Sequence, residues 1–255
     1  MRAFVTGASE GLGRAFAVRL AREGYAITAV ARNEARLIEL VAELEGGPHE
    51  ILAADLSERE GLDRCTERLR ENPYRLLVNN AGYSRFGDFA EAGVEDELRI
   101  LAVNCEAAMR LAHAYLDVAG SGDSIINLSS LTYFLPTPIQ PTYVATKCFL
   151  GSFSESLWYQ SRSRGVYVQG LCPGVTRTRF LERAGLNRYL DLLEFLSMTP
   201  ERVVDSSLRA MHRRRGPIVI PGFGNRMVAI LCRLLPRRLM VALMGRAGEL
   251  AQDRS

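Results

Sequence analysis

The sequence predicts an α/β fold in which seven parallel strands form one doubly wound sheet flanked by helices. Short apolar runs alternate along the chain with longer amphipathic stretches, which is the pattern of strands joined by crossover helices. A glycine-rich turn, Thr6–Gly13, lies between the first such run and the first such stretch. No repeat, low-complexity segment or linker-like stretch divides the 255 residues, so we expect a single domain over 1–255.

The individual elements follow from local patterns. Strands are predicted at Arg2–Thr6, Ala26–Ala31, Glu50–Ala53, Arg75–Asn79, Ser124–Leu128, Val166–Leu171 and Ile218–Ile220. Helices are predicted where polar and apolar positions recur at helical spacing, at Gly13–Glu23, Glu34–Glu45, Glu58–Glu71, Val94–Ala119 and Tyr143–Arg164. Each of the first five strands is therefore followed by a helix, as a parallel sheet requires.

Composition and charge exclude several classes of protein. Hydrophobic residues make up 47% of the chain and charged residues 24%, which is far from the composition of disordered chains. The net charge is only +3, and no nucleic-acid-binding motif accompanies the basic run His212–Arg215, so we expect no nucleic-acid partner. The five cysteines form no Cys-x-x-Cys pair, which indicates a reducing, cytoplasmic setting, and we predict no metal site.

Neither end of the sequence resembles a targeting or spanning segment. Met1 leads directly into the first predicted strand, so we expect no signal peptide. No run approaches the ~20 apolar residues of a membrane span. The tail, about 223–255, is apolar and basic and is interrupted by Pro236. It is interpreted either as a helix pair that covers the core or forms a subunit interface, or as an amphipathic segment in weak contact with a membrane surface. Pro236 argues against one continuous interfacial helix.

The glycine-rich turn predicts a dinucleotide site. Gly7, Gly11 and Gly13 can form the tight turn and let a pyrophosphate approach the backbone N–H groups at the start of the first helix. A glycine-rich turn alone is weak evidence for such a site. This turn lies at the start of a strand–helix–strand unit, where it indicates dinucleotide binding.

Arg32, at the end of the second strand, favours NADP(H) over NAD(H). An enzyme that binds NAD usually carries a carboxylate there for the ribose 2′-hydroxyl, whereas a guanidinium can bind a 2′-phosphate through two charge-assisted hydrogen bonds. The alternative is that Arg32 is a solvated loop cation. Glu10 argues against NADP if its carboxylate points toward the adenosine phosphate.

Further motifs recur in a fixed order after the glycine turn. They are Asp55 after the third strand, Asn79–Gly82 after the fourth, Asn104, Ser130, the Tyr143–Lys147 motif, and Pro173–Thr176 after the sixth strand. With these motifs the chain resembles the short-chain dehydrogenase/reductase family, compact single-domain branch, from Thr6 to about Pro221. Within that branch it looks most similar to NADPH-dependent hydroxysteroid dehydrogenases and ketoacyl reductases.

The resemblance implies a Rossmann-type sheet and a set of cofactor contacts. Asp55 should contact the adenine, Asn80 and Ala81 should line the cofactor, and Thr176 or Thr178 should meet the nicotinamide amide. The full set expected at the cofactor is Gly7, Ser9, Glu10, Gly11, Leu12, Gly13, Arg32, Asp55, Leu56, Asn80, Ala81, Gly82, Tyr143, Lys147, Pro173, Gly174, Val175, Thr176 and Thr178. The family also implies a homodimer or homotetramer.

Four residues are the candidate catalytic group. Tyr143 and Lys147 are four residues apart, so on a helix they share one face. A nearby ammonium should lower the pKa of the phenol and make Tyr143 a general acid and base. Ser130 should hold the substrate oxygen; it lies in no Gly-x-Ser-x-Gly elbow, so we do not expect hydrolysis. By resemblance, Asn104 should bend its helix and anchor a water beside Lys147; the alternative is a satisfied core amide.

Two apolar segments predict a bulky or hydrophobic carbonyl or alcohol substrate. One is the segment about 175–200, expected to cover the substrate, and the other follows Ser130. Their apolar and aromatic residues are Leu131, Tyr133, Phe134, Leu135, Leu181, Leu186, Tyr189, Leu190, Leu193, Phe195 and Leu196; the alternative is that half of them face the core. The predicted function is NADP(H)-dependent reduction of a hydrophobic ketone, or the reverse. A non-catalytic NADP(H)-binding regulator is the alternative.

Overall fold

One sheet of seven strands runs through the protein. The structure is a computed structural model and describes residues 1–176 and 196–252, with side chains through Arg246. The strands are β1 (Arg2–Thr6), β2 (Ala26–Ala31), β3 (Glu50–Ala53), β4 (Leu76–Asn79), β5 (Ser124–Leu128), β6 (Tyr167–Leu171) and β7 (Ile218–Val219). Their order is β3-β2-β1-β4-β5-β6-β7, and every neighbouring pair is parallel. The predicted seven-stranded parallel sheet is confirmed, with strand ends within one residue of prediction.

The described helices connect these strands and extend beyond the last one. They are α1 (Gly11–Arg22), α2 (Glu34–Glu43), α3 (Arg59–Glu71), α4 (Val94–Leu101), α5 (Ala108–Val118), α6 (Pro141–Ser161), α7 (Pro200–His212), α8 (Phe223–Leu234) and α9 (Arg237–Gln252). The single helix predicted over Val94–Ala119 is wrong in detail, because a π-helical turn, Ala102–Ala107, separates α4 from α5. The interruption expected at Asn104 is thus present. Helix α7 was not predicted.

Alternating side chains of the strands build two cores, one on each face of the sheet. In β1, Ala3 and Val5 face a cluster that contains Phe16 of α1, whereas Phe4 faces a second cluster on the other side. The first cluster also receives residues of α2 and α7, and the second those of α3 and α5. The predicted sandwich of helices on both faces is confirmed. Burial on both faces explains why the strands read as continuous apolar runs.

The strand order reverses next to β1, and this places the candidate site. Strand β1 lies between β2 and β4: strands β2 and β3 continue the sheet on one side of it, and β4 to β7 continue it on the other side. In open parallel sheets, ligands bind in the crevice at the carboxyl ends of the strands beside such a reversal. The loops that follow β1, β4 and β5 all begin at this edge.

The C-terminal tail forms two helices, which we call the C-terminal helix pair (α8 and α9). Helix α8 ends at Leu234 and α9 begins at Arg237, so Pro236 breaks the tail as expected. The pair packs on a third cluster, where Ala229, Cys232 and Met240 meet residues that follow β5 and β6. Across the described residues, no helix is both long enough and apolar enough to cross a membrane.

Candidate active site

The glycine turn after β1 is fixed to the loop after β4. Gly7 and Gly11 have positive φ angles of 64° and 56°, which glycine adopts without strain. The Asn80 side chain donates to the Thr6 carbonyl at 2.8 Å, and the Asn80 and Ala81 amides both donate to Thr6 Oγ1 at 2.9 Å. A Cβ at Gly7 would stand 2.7 Å from the side-chain Nδ2 of Asn80 and 3.0 Å from the Ala81 α-carbon, so the close approach requires glycine. Two predicted cofactor segments are thereby brought together.

The start of α1 is open to an anion. Glu10 is the N-cap residue but makes no side-chain cap, and the first turn of α1 contains no acidic residue. The first N–H groups and the positive end of the helix dipole therefore remain suited to a phosphate. Glu10 instead forms an ion pair with Arg36 of α2, with Nη1 and Oε2 3.0 Å apart. This ion pair balances the negative charge of the Glu10 carboxylate, which in the sequence was the observation against NADP.

Arg32 lies beside Asp55 at the ends of β2 and β3. Arg32 Nη1 is 3.8 Å from Asp55 Oδ2, and the Arg32 side chain is 67% exposed, so the contact is loose. Burial acts to raise the pKa of Asp55, but hydrogen bonds from Ser57 and the charge of Arg32 outweigh it and the pKa is lowered. The charged carboxylate of Asp55 and the accessible guanidinium of Arg32 thus lie side by side, at the position expected for the adenosine end of a dinucleotide. Leu56, the next residue, is buried in the second core.

Asn104 bridges the loop after β4 and α6. It is fully buried; its side chain accepts from the Tyr83 amide at 3.1 Å, and donates to the Tyr83 carbonyl at 3.1 Å and to Thr146 Oγ1 at 3.0 Å. Thr146 in turn donates to the Tyr143 carbonyl at 2.7 Å. Asn104 is therefore a hydrogen-bonded core amide in this structure and a positioning residue for α6. Thr146 was missed, although it lies inside the Tyr143–Lys147 motif.

Tyr143 and Ser130 face each other across the crevice. The Ser130 side chain hydrogen-bonds the Tyr143 side chain, and it also accepts from the Thr132 amide at 3.2 Å. Burial raises the pKa of Tyr143 to about 12, and the hydrogen bond from Ser130 only partly offsets this effect. The expected net lowering of this pKa is wrong for this structure, because desolvation of the phenolate dominates.

Lys147 lies one helical turn from Tyr143 and is buried. Its Nζ donates to the Leu128 carbonyl at 2.7 Å and lies 5.4 Å from the centroid of the Tyr143 ring. Burial lowers the pKa of Lys147 to about 8. A Cβ at Gly82 would stand 3.6 Å from Nζ and 3.0 Å from Asn104 Oδ1, so a glycine leaves this end of the crevice open. Ser130, Tyr143, Lys147 and Asn104 are thus brought together as predicted.

The turn after β6 is held by a residue that the sequence did not single out. Asn225 of α8 is buried and donates to the Pro221 carbonyl at 2.9 Å, and its carboxamide lies where a Cβ of Gly174 would be, 2.4 Å from Oδ1. Thr176 donates to the Gly174 carbonyl at 3.1 Å and forms a parallel bridge with Met198. Gly174 is therefore required by packing against Asn225. The predicted contact of Thr178 lies outside the described residues.

The apolar loop after Ser130 faces inward. Leu131 and Phe134 are buried in the third cluster against the C-terminal helix pair. Tyr133 packs against Gly151 and donates to Glu155 at 2.9 Å. These contacts support the alternative that part of the predicted apolar lining belongs to the core. The predicted lining residues between 177 and 195 lie outside the described residues, and no metal-binding group of His, Cys, Asp or Glu is found in the described part of the chain.

Comparison with known proteins agrees with this geometry. The short chain dehydrogenase family matches residues 1–188, and the chain therefore belongs to this family. Hydroxysteroid dehydrogenase-like protein 1 from Gallus gallus is 33% identical over 187 residues, which are 70% of the chain and 56% of that relative. The chain thus spans little more than half the length of this relative.

Two solved structures resemble the whole described architecture. A short-chain dehydrogenase from Sphingobium yanoikuyae in complex with NADPH is 32% identical, with a TM-score of 0.81 over 92% of the chain and 96% of that protein. The bulky-bulky ketone specific alcohol dehydrogenase from Comamonas testosteroni is 27% identical, with a TM-score of 0.76 over 92% of the chain and 95% of that protein. The chain is therefore an oxidoreductase-family protein with a Rossmann-type fold.

Proposed function

We propose that this protein is an NADP(H)-dependent oxidoreductase that reduces a hydrophobic ketone to its alcohol, or catalyses the reverse reaction. One observation carries the proposal: Tyr143 is hydrogen-bonded to Ser130, with Lys147 one helical turn away, at the carboxyl edge of a parallel sheet. A phenol, a hydroxyl donor and an ammonium within one crevice form the set of groups that proton transfer to a carbonyl oxygen needs.

The residues at the strand reversal fit a dinucleotide. The uncapped start of α1 suits the pyrophosphate, and the glycine turn leaves its backbone accessible. Arg32 would bind a 2′-phosphate, and Asp55 would lie near the adenine. A bound nicotinamide would donate or accept the hydride. The NADPH complex of the Sphingobium yanoikuyae relative supports this cofactor assignment.

The protein's own residues would handle the proton and the oxygen. With a pKa of about 12, Tyr143 keeps its proton at neutral pH and is ready to donate it to a carbonyl oxygen. Ser130 would donate a hydrogen bond to the same oxygen as negative charge develops there. Lys147 lies close enough to the ring to stabilise the phenolate that remains.

The substrate class follows from the surroundings of Ser130. Leu131 and Phe134 of the loop that follows it are part of the core, but Tyr133 and Leu135 are only partly buried. These apolar side chains favour a bulky ketone over a small polar one. Similarity to an alcohol dehydrogenase whose name specifies bulky-bulky ketones supports this choice. We also propose that 1–255 act as one cofactor-binding domain in a cytoplasmic homodimer or homotetramer.

The test is NADPH oxidation, followed at 340 nm, with a panel of hydrophobic ketones and repeated with NADH. We expect turnover that prefers NADPH and falls roughly hundredfold or more in Tyr143→Phe. Tyr159→Phe is the matched control, since that tyrosine lies on the same helix with its side chain exposed. NADPH binding, followed by its fluorescence, should be almost unchanged in both variants.

Two results would contradict the proposal. Substantial activity in Tyr143→Phe would remove this residue as the proton donor. Tight NADPH binding without turnover across the panel would instead favour the NADP(H)-binding regulator.

A further inference from the structure

Helix α8 exposes a continuous apolar stripe. Phe223 and Leu234 are each 77% exposed, and Met227, Ile230 and Leu231 between them are about half exposed. Their spacing of three and four residues places them along one side of the helix. The opposite side, with Ala229 and Cys232, packs on the third cluster. The stripe is therefore the side of α8 that does not pack on the third cluster.

Helix α9 enlarges this surface. Leu239, Val241 and Leu243 are exposed, while Met240 is buried. Leu239 and Leu243 lie four residues apart and therefore share one side of α9. We call the exposed stripe of α8 together with these two residues the C-terminal apolar face: Phe223, Met227, Ile230, Leu231, Leu234, Leu239 and Leu243. Single exposed apolar side chains are ordinary, but five along one side of a helix, with two more on the next helix, indicate a contact surface.

The segment that carries this face is basic. The chain from Pro221 to Gly248 contains five arginines and no carboxylate. Arg226 donates to the Ile220 carbonyl and Arg233 lies 4.8 Å from the Phe134 ring, whereas Arg237 and Arg238 are exposed at the bend between the helices. Among the described residues, none of the five forms an ion pair with a carboxylate. A partner for this face must therefore offer both apolar contact and negative charge.

A second copy of the chain does not meet this requirement. Two copies joined through this face by a twofold axis would each bring the same basic segment to the contact, and neither copy's Pro221–Gly248 segment supplies a carboxylate. An anionic lipid bilayer offers an apolar interior below a layer of negative charge. We propose that the C-terminal helix pair binds the surface of an anionic bilayer, with the C-terminal apolar face at the level of the headgroups and upper acyl chains.

The helix pair that carries the docked surface packs, by its other side, on a loop of the candidate active site. That side contacts Leu131 and Phe134, in the loop that follows Ser130. A Cβ at Gly245 of α9 would stand 3.8 Å from Pro138 of the same loop. Binding to a bilayer would place the Ser130 loop about one helix diameter, roughly 10 Å, from the membrane surface, and the ketone would be one that partitions into lipid. This assignment of substrate rests on the proposed function, whereas bilayer binding does not.

The direct test is sedimentation of the full chain with vesicles. Vesicles of phosphatidylcholine alone are compared with vesicles that also contain phosphatidylglycerol, each at low and high salt. We expect co-sedimentation with the anionic vesicles, weakened by salt because the attraction is screened. The assay requires no turnover, so its failure is separate from failure of the proposed function.

Two double variants separate the apolar and the charged contributions. Phe223→Ser with Leu234→Ser removes the two most exposed side chains of the face, and Arg237→Glu with Arg238→Glu reverses two charges. We expect the charge reversal to lower the apparent partition coefficient by roughly thirtyfold or more. The control, Ile38→Ser with Arg22→Glu, changes one exposed apolar residue and one exposed arginine elsewhere on the surface. It should bind vesicles like the unchanged protein.

Several outcomes would overturn the proposal. The proposal fails if the protein does not sediment with the anionic vesicles. It also fails if vesicle binding falls equally in both double variants and in the control, because docking would then not be specific to this face. Concentration-dependent self-association that disappears in the Phe223→Ser, Leu234→Ser variant would assign the face to a second copy. If the protein binds vesicles, its rate of NADPH oxidation with a ketone dissolved in the lipid should fall in both double variants. Its rate with a water-soluble ketone should stay unchanged.

Discussion

Lys147 loses its proton within an accessible pH range because its ammonium is buried. Its pKa is lowered from 10.5 to about 8, whereas the pKa of Tyr143 is raised to about 12. Below pH 8 both groups are protonated, which is the state that reduction needs. Above pH 8 Lys147 becomes neutral and no longer stabilises the phenolate. We therefore predict that kcat/KM for ketone reduction decreases above pH 8.

This prediction is checked by a pH–rate profile at saturating NADPH. In Lys147→Arg the guanidinium stays charged throughout this range, so any activity that remains should lose the decrease near pH 8. A profile of the unchanged protein that stays flat to pH 10 would show that ionisation of Lys147 does not control the reaction.

Arg32 is accessible and only loosely held by Asp55, which leaves it available to a 2′-phosphate. Arg32→Asp exchanges attraction for repulsion at that position. We predict that the KM for NADPH rises roughly hundredfold, since hydrogen bonds to charged groups contribute about 1.5–3 kcal/mol each, while the KM for NADH changes little. Steady-state kinetics with both cofactors measure this. Arg110→Asp, an exposed charge on α5, is the control. An unchanged KM for NADPH would remove Arg32 from the cofactor site.

At the scale of elements, the turn after β6 and the start of α8 behave as one unit. The Asn225 carboxamide fills the space beside the Gly174 α-carbon, so Gly174→Ala has to displace it. We predict that Gly174→Ala costs about 1–3 kcal/mol in the free energy of unfolding, as overpacking usually does.

A double-mutant cycle tests the contact. Asn225→Ala should destabilise the fold by itself, because the Pro221 carbonyl loses its donor. In the double variant the two methyl groups occupy space that the carboxamide has left, so the two losses should not add. Urea unfolding gives the coupling energy. Strictly additive losses would mean that Asn225 and Gly174 are not in contact.

Helix α7 and the π-helical turn show which elements local sequence could and could not reveal. The Thr199 side chain accepts from the Arg202 amide and Pro200 opens the helix, so its start carried a recognisable capping signal that was overlooked. The π-helical turn had no local signal of this kind, and only the family resemblance at Asn104 indicated it. In the turn, the Asn104 side chain donates to Tyr83 and Thr146, which are 21 and 42 residues away in sequence.

At the scale of the whole molecule, the sheet was predictable because its signals are local. The inner strands are mainly apolar runs buried on both faces, and the Thr6–Gly13 turn marks where the first strand ends. The contacts that shape the site are long-range and were not predictable. Asn225 meets Gly174 from 51 residues away, and Phe134 lies under Arg233 of the C-terminal helix pair. The raised pKa of Tyr143 likewise depends on three-dimensional burial.

The strand order also has a consequence for synthesis of the protein on the ribosome. Strand β1 emerges first and occupies an inner position, yet no later strand has to insert between two that are already paired. Strands β2 and β3 extend one side of β1, and β4 to β7 then extend the other side one after another. Each strand can add to an open edge as soon as it is made, so a growing chain has a permitted arrangement at every length.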